Sequence, residues 1–134
     1  MKLKKMFLPV LFVLSACQFA FAENWKPDII ITLSSPDSLS HSGRDVAIQG
    51  TVKNIGNLPV YENQRFQVRL ECLGKEVKTK EFSGLQVGKT KNFEFHYRWT
   101  NKGIKNCVAT VEDISKIDEL NKDNNSAETT IIVK

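Results

Sequence analysis

The chain has 134 residues, 41% of them hydrophobic, and a formal net charge of +4 from 19 Lys and Arg against 15 Asp and Glu. That length accommodates one domain, or one domain behind a targeting segment. Lys2, Lys4 and Lys5 supply three of the positive charges and residues 1–22 hold no acid, so residues 23–134 carry only +1. Nucleic-acid binding needs clustered Lys and Arg, and no such patch remains. The densest basic run, KEVKTK from Lys75 to Lys80, alternates as the solvated side of a strand does.

The first element is a leader. Met6 to Cys17, MFLPVLFVLSAC, is an apolar and small-residue run behind a basic start. It is too short for a membrane span, which takes roughly 20 residues. Ala20-Phe21-Ala22 then presents a small–x–small cleavage pattern. A signal peptide over 1–22 and a mature domain over 23–134 are expected, which places the protein in the periplasm or outside the cell, without a membrane span. The competing reading takes LSAC, Leu14 to Cys17, as a lipobox that anchors a lipoprotein at Cys17. The apolar QFAFA that follows favours cleavage after Ala22, because a lipoprotein tether is usually polar.

Beyond the leader, period-two alternation dominates, the signal of half-buried strands. DIIITLSS opens the domain at Asp28. RDVAIQGTVKNIG sets Val46, Ile48 and Val52 on one side. RFQVRLECLG does the same for Phe66, Val68, Leu70 and Cys72. KEVKTKEF is more charged, as an edge strand should be. KNFEFHYRWT turns Phe93, Phe95, Tyr97 and Trp99 inward and His96 outward. NCVATVED aligns Cys107, Ala109 and Val111, and ETTIIVK aligns Thr129, Ile131 and Val133. SPDS, HSG, NIGN, LGK and VGK punctuate the strands with turn-forming residues. Seven short strands with frequent turns predict an all-β, seven-stranded, immunoglobulin-like antiparallel β-sandwich.

With Cys17 removed in the leader, Cys72 and Cys107 are left as a pair in an oxidising compartment, where a disulfide is expected over two buried thiols. Neither has a nearby Cys or His, so a tetrahedral metal site is disfavoured.

Four stretches in this order resemble one family. They are PDIII from Pro27, GTVKNIGN from Gly50 to Asn57, LQVGKTKNFEFHYRW from Leu85 to Trp99, and Ile117, Glu119, Asn121, Asn124 and Asn125 in an I-x-E-x-N-x-x-N-N arrangement. The chain resembles CARDB, the cell-adhesion-related domain found in bacteria, over nearly all of the mature part. The resemblance implies an immunoglobulin-like sandwich and a non-catalytic, extracytoplasmic module. The two cysteines stand outside the family pattern. In an immunoglobulin-like order the third and sixth strands are neighbours, so Cys72 and Cys107 are expected to bridge adjacent strands of one sheet.

IDELNKDNN, Ile117 to Asn125, is the stretch most like a site. Asp113, Asp118, Glu119 and Asp123 are the candidate calcium ligands of this acidic 113–125 loop. The segment lacks the Gly and the D-x-[DN]-x-[DN]-G spacing of a calcium loop. Asn and Asp also bond nearby backbone groups in Asx-turns. A structural turn with no cofactor is therefore expected, with calcium as the alternative. The two histidines, His41 and His96, form no catalytic signature with their neighbours. NLPVYEN offers Leu58, Val60 and Tyr61 as possible contacts to a ligand, or as caps on the core. The expected function is non-catalytic recognition of a protein or glycan partner in the envelope. A calcium-dependent envelope protein is the alternative, and a small periplasmic enzyme ranks third.

Overall fold

The computed structural model describes residues 25–134, so the expected signal peptide and Cys17 lie outside the described residues. Eight strands follow in order: β1 (Ile29–Ser34), β2 (Leu39–Ser40), β3 (Asp45–Asn54), β4 (Val60–Cys72), β5 (Lys75–Leu85), β6 (Thr90–Arg98), β7 (Gly103–Asp113) and β8 (Ser126–Val133). They form a three-stranded sheet, β1-β3-β6, and a five-stranded sheet, β2-β8-β7-β4-β5. Seven of these strands are the expected ones. The eighth, β2, is a two-residue strand that pairs in parallel with Ile132 and Val133 of β8. All other strand pairings are antiparallel.

The alternation produces the core directly, because side chains two residues apart share a face. Val46, Ile48 and Val52 of β3, Phe93 and Phe95 of β6, and Ile29 and Ile31 of β1 line the inside of the smaller sheet. Phe66, Val68 and Leu70 of β4, Ala109 and Val111 of β7, and Ile131 of β8 line the larger one. Each fully buried large apolar side chain stabilises the fold by about 1.5–3 kcal/mol. β5 has one strand neighbour, β4, and turns Lys78 and Lys80 to solvent, as its charge pattern predicts.

Cys72 and Cys107 are direct partners in the β4–β7 ladder and are joined by a disulfide, with Cα atoms 4.1 Å apart. The bridge therefore links adjacent strands of one sheet. Immediately after it, Leu73 (φ 55°) and Gly74 (φ 75°) make a two-residue turn into β5. Positive φ at both central residues matches the strand twist of a tight hairpin.

Three expectations need correction. Tyr97 is 37% exposed, because the inner row of β6 opens at the end of the sandwich, while Trp99 beyond it is buried. The NLPVYEN segment is not a free loop: β4 begins at Val60, which pairs with Leu85 and is buried. A bulge between Val60 and Arg65 absorbs the extra residues. Finally, β7 begins at Gly103, three residues before the expected start.

Candidate functional site

The sequence-derived site residues gather where β1 begins, β3 ends and the β7–β8 connection crosses. Asn54 sits at an inward position of β3, in step with Val46, Ile48 and Val52, and is fully buried. Its Oδ1 accepts the N–H groups of Asp28 (3.1 Å) and Gly56 (3.0 Å). Its Nδ2 donates to the carbonyls of Leu58 (2.8 Å) and Leu85 (3.1 Å). All four side-chain bonds of this amide are thus made to backbone, tying the β3–β4 turn to β1 and β5. Gly56 allows this closeness: a Cβ there would lie 2.4 Å from the Lys26 carbonyl oxygen.

The β7–β8 connection fits against the same end. Ile117 is buried there, and the Leu120 N–H donates to the Pro27 carbonyl at 2.9 Å. Glu119 is also buried. Its Oε1 accepts the Ile29 N–H at 2.9 Å and its Oε2 accepts Asn125 Nδ2 at 2.8 Å. Burial holds this carboxyl above the usual glutamate range, and the Ile29 and Asn125 bonds oppose the rise. Asn124 Nδ2 donates to Asp28 Oδ1 at 3.0 Å, while Asn121 Oδ1 accepts the Asp123 N–H at 2.9 Å in an exposed turn.

The four acids of the calcium alternative are not brought together. Asp118 points to Lys26 at 3.2 Å and Asp123 lies exposed in its turn. Asp113 and Glu119 do line one cavity of about 330 Å³, with Lys122 and Asn125. Burial raises the Asp113 carboxyl, and Lys122 at 3.7 Å opposes this. The Oδ1 atoms of Asn124 and Asn125 are buried without a hydrogen-bond partner. Among the described residues, no three His, Cys, Asp or Glu side chains are grouped as metal ligands.

The other candidate residues are scattered. Tyr61 is 52% exposed and lines a groove of about 490 Å³ with Pro59, Glu62 and Val87; buried Val60 forms part of its floor and Leu58 is half-buried. His96 lies on the outer face of the smaller sheet, Nδ1 2.7 Å from Asp45 Oδ2 and Nε2 3.1 Å from Glu94 Oε2. Those two bonds raise its pKa, the Glu94 bond most. The Glu94 carboxyl is in turn lowered, first by the Gln49 amide and then by His96. Sequence reasoning did not single out Asn54 or the two acids around His96. Asn54 was detectable as a polar residue in an inward row, and Glu94 as the outward neighbour two residues before His96 on β6; Asp45 was not, because it comes from a separate strand, β3.

Comparisons with known proteins agree with this geometry. The CARDB family model matches residues 26–129, and the chain belongs to that family. A crystal structure of the CARDB domain of a Pyrococcus furiosus protein, determined in complex with di-metal ions, has a TM-score of 0.71 and 26% identity, over 81% of this chain and 90% of that one. A solution structure of the same domain gives a TM-score of 0.70 at 26% identity, covering 81% and 95%. A domain assigned to a cell-surface protein of Methanosarcina acetivorans shares the fold at a TM-score of 0.61 and 22% identity, covering 81% and 93%. No curated protein sequence matches the chain. Among the described residues no helix is long and apolar enough to cross a membrane.

Proposed function

We propose that this chain is a non-catalytic recognition module of the cell envelope, exported by cleavage after Ala22, that binds a protein or glycan partner. The observation that carries the reading is how the polar groups at the β1 end are used. Asn54, Glu119, Asn124 and Asn125 bond to backbone, to one another or to Asp28, as ties between segments, while the aromatic side chains of Tyr61 and Trp25 beside them stand exposed. The cell-surface assignment of the Methanosarcina acetivorans relative and the Cys72–Cys107 disulfide support an extracytoplasmic setting. In this reading Leu58 and Tyr61 contact the partner, with Val87 beside them. The test is capture of an envelope component by the purified protein, compared with Tyr61→Ser. Capture that depends on Tyr61 supports the reading; identical capture by the variant removes the groove from it.

The second reading, a calcium-dependent envelope protein, is favoured by one observation. Asp113 and Glu119 share a cavity with Asn125, whose Oδ1 has no partner. The Pyrococcus furiosus relative was determined in complex with di-metal ions. The structural role is preferred because both Glu119 oxygens already accept N–H groups of the protein.

A further inference from the structure

Ile132 stands on the outer face of the larger sheet, since Ile131 and Val133 on either side of it are buried. Its register partners are Leu39 of β2 on one side and Ile104 of β7 on the other. Ile132, Leu39 and Ile104 are 44%, 60% and 62% exposed. Single apolar side chains at a surface are ordinary, but these form one row across three adjacent strands, roughly 10 Å wide at the usual strand spacing. A contiguous apolar patch rimmed by polar groups marks an interaction surface. β2 covers the edge of β8 at this level, so a partner reaches the row from the face of the sheet.

The ground on the two sides of the row differs in charge. On one side lie Lys102, just before β7, and Lys134, just after β8, both exposed. On the other side the next register pair of β7 and β8 is neutral: the Thr130 hydroxyl donates to Asn106 Oδ1 at 2.9 Å. Glu128 follows on β8, exposed and opposite Val108. Lys102, Lys134 and Glu128 take part in no ion pair among the described residues. Along the strands the strip is therefore basic, apolar, neutral and acidic, with uncompensated charge at both ends.

We propose that this face pairs with a second copy of the chain, in an isologous dimer whose two-fold axis runs along the row. In such an interface the same patch serves both subunits, so it must complement itself. Rotation about this axis turns the partner end for end. Aliphatic side chains then meet aliphatic ones, and the Lys102–Lys134 side of each copy lies over the Glu128 side of the other. An axis along the strands would instead set the two lysine sides over each other, and a partner of one charge sign would satisfy one side only. A row of three aliphatic side chains buries far less than the roughly 1,200–2,000 Å² of a stable interface, so the dimer is weak and concentration-dependent. Tyr61, at the start of β4, lies at the other end of the sheet from the Cys72–Cys107 pair and stays free. The inference goes beyond the recognition reading and does not depend on it.

The test is sedimentation velocity on the purified protein, from micromolar to millimolar concentration. A reversible monomer–dimer equilibrium is expected. Ile132→Glu, which sets a carboxylate in the row, should raise the dissociation constant by at least about tenfold. Ile104→Ser should weaken the dimer as well, and is read in its place if Ile132→Glu does not fold. Glu128→Lys should weaken the dimer several-fold, and adding Lys102→Glu and Lys134→Glu to it should restore pairing, since the charges are then exchanged and not lost. Tyr61→Ser should dimerise as the wild type does. The proposal is overturned by a monomer over the whole range, by a dimer that survives the substitutions in the row, by one that Glu128→Lys leaves unchanged or that the charge exchange fails to restore, or by one that Tyr61→Ser dissociates. A monomer that instead sediments with phosphatidylcholine vesicles through Ile132 overturns it in favour of a lipid surface.

Discussion

Glu119 Oε1 accepts the backbone N–H of Ile29 at 2.9 Å, joining two residues 90 positions apart. Its second oxygen takes the Asn125 amide, so one side chain fastens the β7–β8 connection to the first strand. Glu119→Ala leaves the Ile29 N–H unpaired in a buried place, which costs about 1–3 kcal/mol. Urea denaturation should show that loss. Glu119→Gln should cost less, since it keeps an acceptor for Ile29, and a flip of the Asn125 amide supplies its unpartnered Oδ1 to the new N–H. Because burial raises the folded-state pKa of Glu119, its titration contributes stability that is complete below the ordinary value near 4.5 and is lost as pH rises through the folded value. Glu119→Gln should flatten that part of the stability–pH curve.

Asn54 makes four side-chain bonds and is fully buried. Asn54→Ala removes them all and should destabilise the fold by about 3 kcal/mol or more, since each unpaired buried group carries its own cost. Hydrogen exchange should locate the loosening in the β3–β4 turn and the start of β1. A loss under about 1 kcal/mol would show that the network relaxes around the gap.

The disulfide closes a loop with a sequence separation of 35. The chain-entropy model gives it about 3.8 kcal/mol, acting mainly on the unfolded chain. The double variant Cys72→Ala, Cys107→Ala should keep the fold with a lower melting temperature, and thiol labelling of the unreduced native protein should find neither cysteine.

Millimolar calcium separates the two readings of the Ile117–Asn125 segment. If the segment is a structural tie, Asn125→Ala lowers the melting temperature equally with and without calcium, and the wild-type protein is not stabilised by the ion. Calcium binding to the folded state alone would raise the melting temperature. A rise that Asp113→Asn abolishes would establish the cation site instead.

His96 is held between Glu94 and Asp45, which raise its pKa above the ordinary 6.5. A raised folded-state value means that its contribution to stability is complete below 6.5 and is lost as pH rises through the raised value. The site is exposed, so solvent and salt screen the effect. An NMR titration of the imidazole should show Glu94→Gln and Asp45→Asn each lowering the midpoint, and added salt lowering it as well. No response to either substitution would mean that the pairs do not persist in solution.

Much of this protein was legible in its residues alone. Alternation is a local property, since side chains two positions apart share a face whatever the rest of the chain does. It therefore identified Phe66, Val68 and Leu70 as core and Lys78 and Lys80 as an exposed edge. The immunoglobulin-like order that the family resemblance supplied brought Cys72 and Cys107 onto neighbouring strands. The same rule misplaced Tyr97, because sharing a face does not guarantee cover at the end of a sandwich, where the layers part. Only the tertiary structure decided what the polar residues do. The bond from Ile29 to Glu119 depends on how a late connection crosses the first strand, and the four bonds of Asn54 depend on β1, the β3–β4 turn and β5 meeting at one end. Hydrogen bonds and cavities of this kind are made by segments that approach only after both sheets have stacked, so no pattern within one segment records them.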